Sequence, residues 1–273
     1  ALPIYAKILV VDDVEMNLQV VRGMLKRTHA AVDTAYSGKE CLEKIAAKRY
    51  DIIFLDHMMP EMDGIETFER MKKTAHPNKD TPVIILTANA IVGAKEMYMN
   101  KGFTDYLSKP ILRNELIEML CRYLPKPMIK DCSSEDVMEF RPADAAEMSP
   151  APAPGGKSGL AERFPLLNTK LGMSYCMEDE EFYVEMIETY LNGDKRQVLT
   201  EAYVAENWKE YETYVHGLKS TSLNIGASLL SEHAKALEFA AKDGNYDYIR
   251  EHNKAVCEDE YTTLLEQLKE ALN

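Results

Sequence analysis

The stretch DIIFLDHMMPEMDG at residues 51–64 decides the fold. A run of large apolar residues from Ile52 to Leu55 closes on an acid, Asp56, and a polar stretch holding Pro60 and Gly64 follows at once. A short apolar run bounded by turn residues fits a strand covered on both faces, the situation of a parallel sheet flanked by helices. GIETFERMKK, starting at Gly64, then switches to helical period. The same alternation extends outward in both directions. KILVV (7–11), AVDTA (31–35), VIILT (83–87) and DYLS (105–108) are strand-like, and LQVVRGMLKR and GKECLEKIAAK between them are helix-like. Five such units imply an α/β, doubly wound parallel sheet.

The pattern dissolves over residues 132–159, where CSSEDVMEFRPADAAEMSPAPAPGGKSG is rich in Pro, Ala, Ser and acids and reads as a linker. Over 160–273 the strand signals vanish. Long helix-period segments follow at 179–205, 208–223, 227–242 and 246–272, with a shorter one near 166–175, and they predict an all-α helical bundle. A chain of 273 residues with 46% apolar and 28% charged residues has room for both units.

The formal charge of -13 argues against nucleic acid and anionic membrane surfaces as partners. There is no long apolar run and no signal-peptide pattern at the start, so the expectation is a cytoplasmic chain without direct membrane contact. The initial alanine suggests a piece of a longer protein, whose parent could be anchored in a membrane. The five cysteines are scattered, without metal-ligand spacing, and read as reduced structural thiols.

The chemistry sits where strands end. Asp12 and Asp13 follow KILVV, Asp56 ends the third strand, Thr87 ends the fourth and Lys109 follows the fifth. In an open parallel sheet such positions converge on one crevice. Three clustered carboxylates repel one another unless a cation neutralises them, and an all-oxygen site suits Mg²⁺. Lys109 would balance phosphoryl charge, and the Thr87 hydroxyl would donate to a phosphoryl oxygen.

LVVDD, IIFLDHMMPEMDG, LTANA and YLSKP together resemble the receiver domain of two-component response regulators, over residues 5–125. The resemblance implies a flavodoxin-like fold with Asp56 as phosphoacceptor. It further implies Mg²⁺ bound by Asp13, Asp56 and the backbone carbonyl of Met58, with Asp12 assisting through water. Thr87 and Tyr106 match the family's switch pair, and Lys109–Pro110 its usual cis peptide.

In YETYVHGLKSTSLNIGA the small or apolar stripe runs through Tyr211, Val215, Leu218, Ser222 and Ile225. His216 falls on the flank of that stripe with Lys219 and Ser220, which predicts an exposed imidazole. A neutral imidazole is a good nucleophile toward phosphorus, and Lys219 one turn on would attract phosphoryl oxygens. The other five histidines, His57 among them, read as solvated surface residues. HGLKSTSLNIGA resembles the core motif of histidine phosphotransfer domains, with the bundle from 160 to 273 as its context. By that resemblance His216 is a phosphoryl carrier, and Ser220 stands where many relatives have glycine.

The combined expectation is a phosphorelay protein or the C-terminal part of a hybrid sensor histidine kinase. An upstream histidine kinase or phosphotransfer protein supplies Asp56, and His216 exchanges phosphate with a receiver aspartate. The linker, with a coil size of roughly 30 Å, allows that aspartate to be Asp56 itself. The alternative is a phosphorylation-controlled switch whose bundle docks a partner without transferring phosphate. A dehalogenase-type phosphatase would need a second acid at Met58, and the GGKS at 155–158 lacks both the leading glycine, at Ala151, and a preceding strand. No ATP-binding kinase motif is present among these residues.

Overall fold

The computed structural model describes residues 4–26, 28–88, 94–129 and 159–273. Most of the linker expected at 132–159, including GGKS, and Asn89 and Ala90 of LTANA lie outside the described residues.

In the first half β1 (Lys7–Val11), α1 (Glu15–Leu25), β2 (Ala31–Ala35), α2 (Gly38–Ala47), β3 (Ile52–Asp56), α3 (Gly64–Lys73), β4 (Val83–Thr87), α4 (Ala94–Lys101), β5 (Asp105–Ser108) and α5 (Arg113–Tyr123) alternate strictly. All strands pair in parallel, in the order β2-β1-β3-β4-β5. Strand side chains alternate between faces. Ile8, Val10, Ile52, Phe54, Ile84 and Leu86 therefore pack on one side with α1 and α5, while Leu9, Val11, Ile53, Leu55, Val83 and Ile85 pack on the other with α2, α3 and α4. Side-chain caps start two of these helices, Ser37 accepting from Glu40 N and Asp63 accepting from Glu66 N.

The C-terminal region is helical throughout: α6 (Leu160–Arg163), α7 (Thr169–Tyr175), α8 (Glu180–Asn192), α9 (Arg196–Val204), α10 (Trp208–Asn224), α11 (Ser228–Lys242), α12 (Tyr246–Asn253) and α13 (Tyr261–Leu272). Two expected segments are interrupted. The one at 179–205 breaks after Gly193, and the one at 246–272 passes through a π-helical stretch, Lys254–Glu260, that buries Val256 and Cys257. Asn168, Asp179, Asn207 and Asn245 cap α7, α8, α10 and α12. Gly226 ends α10 with φ +83°, where a side chain would meet the Asn168 carbonyl, so a helix stop and a close approach require glycine together. No helix among the described residues is long and apolar enough to cross a membrane.

The two halves touch. The buried cluster on the α1/α5 face of the sheet runs on into the core of the helical region. α1 packs against α8 and α10: Asn224 Nδ2 donates to Asn17 Oδ1 at 3.0 Å and Thr189 Oγ1 to Gln19 Oε1 at 3.0 Å. Gly23 accepts the Phe182 ring so closely that a Cβ would lie 2.7 Å from it.

Candidate functional site

Strand register explains why the acids meet. β1 and β3 are neighbours with Val11 level with Leu55, so Asp12, one residue on, comes level with Asp56. Asp56 in turn pairs with Leu86, which puts Thr87 at the adjacent strand end. The site thus lies where the strand order reverses, at the carboxyl edge of the sheet. Gly64 brings the β3–α3 loop back under it: its N–H donates to His57 O at 2.9 Å, and a Cβ there would lie 2.1 Å from the Asp56 carbonyl oxygen.

Asp12, Asp13 and Asp56 each offer an oxygen within 4.8 Å of the others. Lys109 Nζ donates to Asp12 Oδ2 and to Asp56 Oδ1, both at 2.6 Å. Asp12 also accepts from Val14 N at 3.0 Å and from Asn17 Nδ2 at 3.0 and 3.1 Å. Burial, and then the Asp12 charge, push the Asp13 carboxyl up to about 6. Burial raises Asp56 well above the ordinary carboxylate range against the pull of Lys109. Burial alone would lower the Lys109 ammonium, yet Asp12 and Asp56 hold it above its usual value. Asp56 Oδ2 is buried without a hydrogen-bond partner. Three acids against one lysine, with an orphaned oxygen, form a donor set that fits a small hard divalent cation. Met58 joins Asp56 in lining the cavity beside this cluster.

Thr87 is buried and lines the same cavity. Its hydroxyl accepts from Tyr98 Oη at 3.1 Å. Tyr106, matched with Thr87 as the switch pair by resemblance, is half-buried on β5 with Lys95 Nζ 5.8 Å from its ring centre. Tyr98 meets Thr87 because α4 turns that side chain into the sheet. Lys109 N donates to Thr87 O at 2.7 Å, and the Lys109–Pro110 peptide is cis.

His216 corrects the expectation of an exposed imidazole: it is 4% exposed. The sequence reading placed it on a free flank of α10, whereas α11 covers that flank on one side and the α/β half on the other. Glu238 of α11 takes His216 Nδ1 at 2.8 Å through Oε1 and Lys219 Nζ at 2.5 Å through Oε2. Burial pushes the His216 ring below its ordinary pKa, so the neutral form prevails at neutral pH. Although burial opposes it, pairing with His216 and Lys219 holds Glu238 down at about 2. A neutral ring beside an ionised carboxylate keeps its proton on Nδ1, which leaves the lone pair on Nε2. That Nε2 is buried without a partner.

One cavity of about 610 Å³ joins the two clusters. Asp56, His57, Met58, Thr87 and Tyr98 line it from the α/β side, and His216, Lys219, Glu238 and Phe239 from the helices. At Gly217 a Cβ would lie 3.2 Å from Lys195 Cε of the same half and, across the seam, in ordinary contact with Val14 Cγ2 at 3.6 Å.

Sequence reasoning missed Glu238, Asn17, Asn224 and the pair His57 and Tyr98. Asn17 links the halves, since it donates to Asp12 and accepts from Asn224. No local pattern marks Glu238, which falls on the buried face of α11 four residues after Ala234, where helical period calls for a small or apolar residue. His57, read as solvated, is half-buried against Tyr98.

Residues 8–121 match the family described as response regulator receiver domain. The signal transduction histidine-protein kinase BarA of Escherichia coli (strain K12) is 36% identical over 118 residues, 43% of this chain and 13% of BarA. The aerobic respiration control sensor protein ArcB of Escherichia coli (strain K12) is 35% identical over 117 residues, 42% of this chain and 15% of ArcB. Both matches therefore span only a small fraction of those kinases. Among solved structures, the receiver domain of sensor histidine kinase PA1611 from Pseudomonas aeruginosa PAO1 is 32% identical with a TM-score of 0.40, covering 43% of this chain and 96% of that one. That structure has a magnesium ion coordinated in its active site cleft. With the sheet order, the acid cluster, the family match and the likeness to the two kinases together, residues 8–121 are a response regulator receiver domain of two-component signalling, similar to those of hybrid kinases.

Proposed function

We propose that the chain is a phosphorelay protein in which Asp56 and His216 exchange a phosphoryl group across the cavity that both line. One observation carries this reading. Asp56 Oδ2 and His216 Nε2 are the buried side-chain polar atoms without a partner among the described residues, and they belong to the two groups that the exchange would join. Unpaired buried polar atoms cost free energy, so two of them around one cavity suit a guest that satisfies both.

In the exchange, the His216 Nε2 lone pair attacks phosphorus as the bond from phosphorus to the Asp56 carboxylate oxygen breaks, and the bonding pair returns to that carboxylate. The phosphorylated ring keeps its Nδ1 proton, and its positive charge is balanced by Glu238, which already accepts from Nδ1. Lys109 shifts from Asp56 Oδ1 to a phosphoryl oxygen as the carboxylate is esterified, and the Thr87 hydroxyl donates to another. Asp13, Asp56 and the Met58 carbonyl would hold Mg²⁺, with Asp12 assisting through water. Bound there, the ion would supply positive charge to the phosphoryl group. Lys219 acts chiefly by keeping Glu238 ionised.

An upstream histidine kinase or phosphotransfer protein would load the chain, and a downstream receiver domain would unload it. The bundle over 160–273 is then a histidine phosphotransfer domain. The test is phosphosite mapping after incubation with acetyl phosphate and Mg²⁺. Acid-labile phosphate on His216 in the wild type, lost in Asp56→Asn, supports the reading. Phosphate confined to Asp56 contradicts it and favours the docking switch, which the packing of α8 and α10 on α1 would serve on its own.

A further inference from the structure

The transfer cavity has a mouth that the exchange itself leaves unused. Asp56, Thr87 and His216 on its floor are buried, whereas Met97 of α4 and Phe239 of α11 at its edge are exposed, so it opens to solvent between the halves. Lysines surround that edge. Lys209, Thr213, His216 and Lys219 recur at steps of three and four on one face of α10, and Lys235, Phe239 and Lys242 share one face of α11. Lys219 is taken by Glu238. Lys209, Lys235 and Lys242 are exposed, and their ammonium groups form no ion pair among the described residues; Lys235 Nζ lies 5.9 Å from the Phe239 ring centre. Burial lifts the Glu212 carboxyl above its ordinary pKa although Lys242 and Lys209 pull it down, so both lysines lie close to it. Besides Asp56 and Glu238, which already hold Lys109 and Lys219, the described walls carry only the acids Glu212 and Asp63. Three lysines against two acids leave the mouth with a positive excess on a chain of net charge -13.

We propose that Lys209, Lys235 and Lys242 of the helical half form an entry port for a small phosphate-bearing anion, an acyl phosphate, which reaches Asp56 while the halves stay docked. A cavity of about 610 Å³ is in the range of small-molecule sites and excludes a folded protein donor. Lysine suits the mouth because its ammonium is a mobile point charge that attracts a phosphate without fixing its orientation. At the floor an Asp56 carboxylate oxygen forms the new bond to phosphorus as the bond from phosphorus to the acyl carboxylate breaks. The electron pair leaves with that carboxylate, and no proton is gained or lost. The product departs as a monoanion, less strongly held by the mouth than the dianionic donor. The inference rests on the reading of Asp56 as phosphoacceptor and names the donor class that the docked chain admits.

The test is the rate of Asp56 phosphorylation by acetyl phosphate and Mg²⁺ in the full chain, in wild type and in the triple variant Lys209→Gln, Lys235→Gln, Lys242→Gln. At low salt the triple variant is expected to be about tenfold slower at limiting acetyl phosphate, with the saturating rate unchanged, because the port acts on encounter. Raising the ionic strength should slow the wild type toward the variant. Gly23→Trp drives a large ring into Phe182 and parts the halves, read as a larger radius of gyration in small-angle scattering. In that opened background the lysine substitutions should have no effect. A triple variant as fast as wild type at low salt, a loss confined to the saturating rate, or an undiminished lysine effect in the opened chain would each overturn the port while leaving the Asp56 reading intact. A wild type that takes up no phosphate on Asp56 would overturn the Asp56 reading and the port together.

Discussion

The two halves of the chain build their reactive groups by different physical means. Asp56 and its neighbours are brought together by the backbone: parallel pairing levels Val11 with Leu55 and Asp56 with Leu86, and every residue at those strand ends arrives at one edge. His216 is completed by a side chain 22 residues away on another helix, Glu238, which no local pattern announces. The acid cluster carries an excess of negative charge that calls for a cation. The histidine cluster is already balanced, with Glu238 ionised between His216 and Lys219. A site made by topology waits for a ligand, whereas one made by helix packing presets a tautomer.

The sharpest way to separate the two is Glu238→Gln. The amide no longer enforces Nδ1–H on His216 or balances the positive ring, so phosphate transfer to His216 is expected to fall about 100-fold, the low end of what proton placement contributes. Phosphorylation of Asp56 by acetyl phosphate should not change. Rates at the two residues, followed as alkali-labile phosphate on Asp56 and alkali-stable phosphate on His216, check both halves of the prediction, and equal losses would mean that the clusters are not separable.

Acidity should act on the halves in opposite directions. The Asp13 carboxyl is raised from 3.8 to about 6, so without a cation its contribution to stability is greatest below pH 3.8 and is lost as pH rises through about 6. Glu238 is lowered from 4.5 to about 2, so its contribution is present above pH 4.5 and is lost as pH falls through about 2. Mg²⁺ should therefore raise the melting temperature more at pH 7.5 than at pH 5. At ten times the dissociation constant the gain is about 1.4 kcal/mol. Calorimetry with and without Mg²⁺ at both values checks the sign, and a gain that is larger at pH 5 would contradict the assignment of the cation to these acids.

The smallest expected effect is at the seam. Asn224→Ala removes the hydrogen bond to Asn17 and leaves the Asn17 carbonyl oxygen unpaired in a buried contact, at a cost of about 1 kcal/mol. Exchange between Asp56 and His216 should slow about fivefold, with the α/β half alone phosphorylated at the wild-type rate. Single-turnover transfer rates measure it, and an unchanged rate would mean that the contact of α10 with α1 does not govern docking.

All five strands were legible with their residues, because buried parallel strands are short apolar runs and their ends carry the polar residues. Asp12, Asp13, Asp56, Thr87 and Lys109 followed from that logic alone. What the sequence concealed depends on helix rotation and on contacts between halves. The period of α10 correctly puts Val215 and Leu218 in the core, but it cannot show that α11 and the receiver cover the opposite flank and bury His216. Tyr98 was hidden for a related reason: α4 has little periodic signal, so which of its side chains turns inward is set by the site it packs against. Glu238 and Asn17 were unreadable because a buried polar residue is intelligible only with its partner in view.

The most direct test of intrachain exchange is the concentration dependence of transfer. With Asp56 phosphorylated and donor removed, the decay of phosphoaspartate into phosphohistidine should be first order, with a rate constant unchanged on hundredfold dilution, and a mixture of Asp56→Asn and His216→Ala chains should transfer far more slowly at low concentration. A rate that falls in proportion to concentration, or a mixture as fast as the wild type, would contradict the account.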